Sequence, residues 1–361
     1  MEKEQLRSLT SFMAILVRRV KLDSERDQLI EVLKRNVRDL PHAHRFDWLY
    51  LKNPAGMAWS WFAWDQASER AVGVASLFPR FMWVGKDVKA CGQVGDFAVD
   101  TSHRCLGPAT ALQRATLGPV QNGAIALCYD CPPHERGMAT FRRLHMENNC
   151  EMHRYVRLLR VDRWLTARLG TRKRLLGSLT LAGNFLLGFR TRPTRSATGL
   201  DIAAHLGSFG EEFSSLDQEV GGDEKVIRGR RRAEDLNWRY NEDPVHRYRV
   251  LTARREGELK GFAIYSVTDH IAQIVDLFSL ETPSVDLELI EAVVEELKTE
   301  SVQSVDFLAS DERDVSSLKK AHFMYRSRAE RVVAYGAEDG EVRTFLDNRP
   351  RWTLGRGDVM A

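Results

Sequence analysis

In the stretch CGQVGDFAVDTSHRCLGPATALQRATL, residues 91–117, an arginine, a glycine and a proline stand where a strand hands over to a helix. Alternation through Val94, Asp96 and Ala98 on one side and Gly95, Phe97 and Val99 on the other predicts the strand. DTSH turns the chain, and PATALQRATL supplies helix formers behind Pro108, a residue suited to a first helical turn. Such a junction gathers unpaired backbone N–H groups and the positive end of the helix dipole at one point, which is an anion site. Gly107 allows close backbone approach, and Arg104 adds a permanent positive charge. No G-K-[S/T] follows, so this is no Walker loop, and the three spaced glycines of a dinucleotide fingerprint are missing.

A second cluster with chemical capacity is Cys128, Cys131 and nearby His134. Zinc needs four ligands, and no second C-x2-C or paired histidine answers this one, so no metal is expected.

The elements that must position the anion loop are repeated. DWLYLKNPAG and NWRYNEDPVH share W-x-Y-x-x-[N/D]-P: Trp48, Tyr50, Asn53 and Pro54 against Trp238, Tyr240, Asp243 and Pro244. Each is followed by a strand, a charged turn and a strand in which Gly73 or Gly261 comes early. A third strand then carries an aspartate at the same place, Asp96 in VGDFAVD and Asp276 in IVDLFSL. Two copies of one α/β unit are therefore expected, over residues 1–163 and 200–348, with a tail at 349–361. Between them, residues 164–199 form a basic, leucine-rich connector ending in the linker TRPTRSATG.

The totals set bounds. A chain of 361 residues is long for one core, and 43% apolar with 29% charged residues is the balance of a globular protein. A net charge of +3 gives little support to a polyanion partner, so no nucleic acid is expected. The N-terminus MEKEQLRSLTSFMAILVRRV does not read as a signal peptide. Leu175–Phe189, the longest apolar window, falls short of the ~20 residues that a spanning helix needs. Five cysteines, an odd number, point to reduced thiols and the cytoplasm. The basic segment 164–195 adds peripheral contact with the inner membrane surface as an expectation.

With strand, loop, helix and repeat in this order, residues 99–109 resemble the acyl-CoA pyrophosphate loop [R/Q]-x-x-G-x-[G/A] of the GNAT (Gcn5-related N-acetyltransferase) superfamily. The W-x-Y-x-x-[N/D]-P turn resembles bacterial tandem-GNAT proteins, many associated with cell-envelope polysaccharide pathways. The resemblance implies an α/β (α+β) fold, two tandem mixed-sheet domains flanked by helices. It also implies acetyl-CoA, or another acyl-CoA, as co-substrate and a small amine as acceptor, an amino sugar among them. Arg104, Cys105, Leu106, Gly107, Pro108 and Ala109 would hold the pyrophosphate. Phe97, Ala98 and Val99 would pair with the pantetheine arm. In the second copy Pro283 and Asp286 stand where arginine and glycine are needed, and an acidic helix start repels phosphate.

The catalytic positions of the family are less well matched. Gln93 occupies the strand position usual for a carboxylate, and Phe141 that of a tyrosine acid. Asp96, His134 and Glu135 remain as candidate catalytic residues, although Asp276 in the loop-less copy points to a structural role for Asp96. Alongside N-acyltransfer, two other readings stay open: a GNAT-fold binding or scaffold protein without catalysis, and a FemAB-like aminoacyl transferase.

Overall fold

The computed structural model describes residues 15–37, 42–104, 107–132, 135–144, 146, 148–160, 199–337 and 340–359. The connector and its membrane-facing reading lie outside them.

In the first half, β1 (Ile15–Arg19) precedes α1 (Arg26–Asn36) and the short α2 (His42–Phe46), which runs into a π-helical turn at Asp47–Leu51. Then come β2 (Trp59–Asp65), β3 (Arg70–Val84), β4 (Asp87–Val99), α3 (Gly107–Gln121), β5 (Leu127–Asp130), α4 (Glu135–Arg143) and β6 (Asn148–Leu158). The second half repeats the plan. It contains β7 (Asp201–His205), α5 (Glu211–Val220), β8 (Val226–Gly229), α6 (Ala233–Leu236) with a second π turn at Asn237–Asn241, β9 (Arg249–Arg255), β10 (Glu258–Thr268) and β11 (Ile271–Ser279). It closes with α7 (Ser284–Lys298), β12 (Ser304–Ala309), α8 (Glu312–Lys320), β13 (Met324–Gly336), α9 (Glu341–Asp347) and β14 (Arg351–Thr353).

Local chemistry accounts for most of these elements. Buried Val285, Leu289, Val293 and Leu297 recur every fourth residue and seat α7 on the sheet. The β9–β10 hairpin turns on Glu256 and Gly257, both at positive φ (53° and 85°), as a two-residue turn of the primed kind requires.

One sheet runs through the molecule in the order β1-β2-β3-β4-β5-β13-β6-β12-β11-β10-β9-β7. From either end it reads the same: antiparallel strands, then one parallel pair, β4–β5 or β11–β12. The centre holds an exchange. β13 of the second half lies between β5 and β6, and β6 of the first half lies between β13 and β12. Residues 148–158, expected within the first copy, therefore pair only with strands of the second. The expected tail is also built in. β14 pairs with β8, β8 pairs with β3, and a turn at Arg356–Asp358 is buried between the halves.

The repeated motif has a structural task. Trp48 stacks on Trp238 with ring centroids 5.1 Å apart. Each indole N–H donates to the other's backbone carbonyl, at 2.6 and 2.9 Å. Asn53 and Asp243 cap the following turns, accepting from the N–H of Ala55 (3.0 Å) and Val245 (2.8 Å). Two equivalent π turns thus meet each other where the halves join.

Candidate active site in the first half

β4 and β5 are paired only at Cys91–Leu127, Gly92–Cys128 and Gln93–Tyr129. Beyond Gln93, β4 continues to Val99 beside β3 but with no described strand on its β5 side, so a wedge opens there toward the start of α3. A bulge between Val74–Ala98 and Ser76–Gly95 bends β4 there, and Asp96 sits in it at φ 45°. Backbone groups along such an edge are free to pair with an extended ligand.

At the open end, the Thr101–His103 turn leads to Arg104, whose Nε donates to the Val99 carbonyl at 2.8 Å and whose guanidinium reaches Asn36 Oδ1 at 3.3 Å. Asp100 anchors the strand end, accepting from Asn36 at 2.6 Å and Arg35 at 3.1 Å. Exposed Arg104 therefore braces the loop and keeps donors toward solvent. α3 opens at Gly107 with no acid in its first turn, and its leading N–H groups have no intrahelical acceptor. Pro108 is buried and Ala109 half-buried, beside Phe97 and Leu112. Ala98 and Val99 are buried on opposite faces of β4. Cys105, Leu106 and His134 lie outside the described residues, and Glu135 is described only as the first residue of α4.

Asp96 turns away from base chemistry. Its buried carboxylate takes the Arg45 guanidinium on one oxygen and the Tyr50 hydroxyl, at 2.6 Å, on the other. In the second half Asp276 is held in the same way by Arg231 at 2.9 Å and Tyr240 at 3.0 Å. A carboxylate occupied on both oxygens in both halves ties each π turn to its bulged strand. Phe141 is buried against Val94 and Cys128 and has no proton to give.

Two acids that the sequence did not single out stand out by their burial. Asp130 ends β5, next to the last β4–β5 pair, half-buried and without a hydrogen bond or ion pair to the described side chains. Burial pushes its carboxyl up to about 7, against a smaller pull from the Cys131 backbone N–H. Its signal was a lone acid closing an apolar strand before Cys-Pro-Pro. Glu330, carried in on the exchanged β13, is also raised by burial, with Arg356 opposing. Tyr129 is no acid at working pH: burial lifts its hydroxyl far above the ordinary range, and that hydroxyl already donates to the Asp358 carbonyl at 2.7 Å.

Cys128 and Cys131 face different cores, one among Leu117 and Phe141, the other among Met152 and Trp352. Among the described residues, no three His, Cys, Asp or Glu side chains converge on a metal position, and no helix is long and apolar enough to cross a membrane.

The corresponding wedge of the second half, between β11 and β12, differs at both ends. Asp286 lies buried in the first turn of α7, accepting from Ser279 Oγ at 2.6 Å. The C-terminal segment crosses the wedge: Leu354 N donates to Ser310, just past β12, at 2.8 Å, and Gly355 lies against the Val275 carbonyl of β11 so closely that a Cβ would be 2.9 Å from it. What remains is a polar cavity of about 260 Å³ bordered by Leu280, Thr282, Asp286, Asp314 and Arg351.

No family model matches this chain, and no curated protein matches it in sequence. Solved structures do. A GCN5-related N-acetyltransferase from Anabaena variabilis is 13% identical, with 88% of this chain and 72% of that one covered and a TM-score of 0.62. One from Kribbella flavida is 13% identical over 89% and 71%, at 0.56. The Saccharomyces cerevisiae N-myristoyltransferase, solved with bound myristoyl-CoA, is 11% identical over 89% and 82%, at 0.55. Residue identity this low speaks for architecture alone, and on architecture the chain has the fold of the GCN5-related N-acetyltransferases.

Proposed function

We propose that the chain is an acyl-CoA-dependent N-acyltransferase working through its first half, with acetyl-CoA as donor and a small amine as acceptor. An amino sugar is the acceptor class implied by the resemblance of the Trp-Pro turn to envelope-associated tandem proteins. One observation carries the reading. Of two wedges built on the same plan, the first is uncrossed by any described segment and leads to an acid-free helix start, while the second is crossed by the chain's own C-terminal segment and has Asp286 at that start.

In this reading, Arg104 fixes the loop and the first-turn N–H groups of α3 meet the pyrophosphate. Backbone groups of Val94–Ala98 on the side away from β3 align the pantetheine arm, while Arg104 holds the Val99 carbonyl. The acceptor must arrive as a neutral amine. Asp130, with a carboxyl near 7, takes its proton, directly or through water, as the nitrogen attacks the thioester carbon. CoA leaves as the thiolate and is protonated from solvent, since Phe141 replaces the usual tyrosine. A cytoplasmic setting, with the 164–195 segment resting on the inner membrane surface, belongs to the same proposal; sedimentation with anionic vesicles tests that contact.

Calorimetric titration with acetyl-CoA tests the core of the reading. One site per chain is expected, lost in an Arg104→Ala, Gly107→Glu double variant. A wild-type protein that takes up no acetyl-CoA overturns it.

A further inference from the structure

The closed end of the first wedge bears on which acyl group can lie there, an inference that rests on the reading above. The wedge ends at the Gln93–Tyr129 pair. On the face carrying α3 and α4, Leu77, Val94, Leu117, Cys128 and Phe141 fill the space and are each 4% exposed or less. Gly92, one pair further in, is so tightly covered that a Cβ there would lie 2.7 Å from Leu77. No described gap on this face could take a chain without opening a close-packed core.

The other face holds charge. Arg80 donates to the Tyr129 hydroxyl, to the Asp358 carbonyl at 2.9 Å and to the Asp358 carboxylate at 2.6 Å. Arg231 holds the second carboxylate oxygen at 3.1 Å. Arg80, Tyr129, Asp358 and Arg231 are all buried. A hydrocarbon running this way would strip buried ions of their partners, a strongly unfavourable exchange.

We propose that Tyr129, held in place by Arg80 and by Asp358 of the C-terminal segment, limits the donor to a short acyl group such as acetyl or propionyl. The segment that crosses the second wedge thereby sets specificity in the first.

The test is calorimetric titration of the full chain with CoA, acetyl-CoA, butyryl-CoA, hexanoyl-CoA and octanoyl-CoA. An apolar tunnel would tighten binding about fourfold per buried methylene, hence about 250-fold from acetyl to hexanoyl. The expected result is a hexanoyl-CoA affinity no more than about fivefold above that of acetyl-CoA, roughly one methylene's worth. A larger gain that grows with chain length overturns the proposal. Failure to bind CoA itself is a different result: it removes the acyltransferase reading and this inference with it. Tyr129→Ala should shift the preference toward butyryl- and hexanoyl-CoA, and Tyr129→Phe, which keeps the ring but loses the hold of Arg80 and Asp358, should shift it the same way by a smaller factor. A folded Tyr129→Ala protein with the wild-type order would overturn the role of Tyr129. If that variant does not fold, the wild-type series and Tyr129→Phe still decide.

Discussion

The two wedges of this molecule share strands, bulges and π turns, yet among the described residues only the second is crossed by another segment of the chain. In the first, no described strand pairs with β4 beyond Gln93 on the β5 side, and the helix start carries no acid. In the second, the same edge is met by Gly355 and Gly357, and the helix start carries Asp286. Shared architecture therefore fixes where a ligand could lie, while a few residues at the rim decide whether one can. Asp358 belongs to both sides of the contrast. Its segment crosses one wedge, and its own carboxylate and carbonyl hold Arg80 and Tyr129 at the end of the other.

Asp358→Ala is the hardest blow to that arrangement. It leaves Arg80 and Arg231 buried without their shared carboxylate and should cost about 3–5 kcal/mol in urea unfolding. Burial alone would raise this carboxyl, but Arg231, Arg80 and Arg239 overcome it and hold it well below the usual range. Its stabilisation is thus full above the ordinary carboxylate range and is lost as pH falls through the depressed value. The gap between variant and wild type should be constant from neutral to mildly acidic pH and close only in strong acid. A gap that closes near pH 5 would show that the Asp358 network is not what joins the wedges.

Asp130→Asn should lower kcat by about a hundredfold or more and abolish the rise of activity through pH 7. Because the folded-state value is raised, wild-type Asp130 binds a proton more tightly in the folded chain. Its contribution is favourable below the ordinary carboxylate pKa and is lost as pH rises toward 7. The Asn variant should therefore melt higher at pH 8, by about 2 °C for a gain of order 1 kcal/mol in a chain of this size. Loss of activity together with lower stability would mean that Asp130 is structural.

Gly107→Asp gives the first helix start the acid that the second already has. Acetyl-CoA affinity should fall about tenfold, the upper part of the helix-dipole range, with secondary structure unchanged by circular dichroism. Unchanged affinity would show that the helix start is not where the two wedges part.

Trp48→Phe and Trp238→Phe probe what the halves have in common. Each removes one of two equivalent indole hydrogen bonds and should cost about 1 kcal/mol. Clearly unequal losses would break the symmetry of the junction.

Much of the fold was legible in the sequence because it is written at short range. The hairpin at Glu256–Gly257, the strand into Val99 and the helix behind Pro108 all follow from residues a few positions apart. The matched aspartates of the two sequence copies have matched surroundings in the fold: Asp96 and Asp276 are each tied to a tyrosine and an arginine. Asp130 escaped notice because its altered proton affinity comes from burial, which neighbours in sequence do not reveal. Arg80 escaped for the same reason, its partner lying 278 residues away.

By itself, then, the sequence determined the local units, their duplication and which helix start carries an acid. Spacing, turn chemistry and charge are properties of the neighbouring residues alone. Only the tertiary structure decided that β6 and β13 change places, that the last residues cross the second wedge, and that one carboxylate serves both. An antiparallel strand makes the same backbone bonds with either available edge, so its choice depends on the side chains that both edges bury. A buried carboxylate is stable only where distant arginines converge on it, and that convergence exists only in the folded chain.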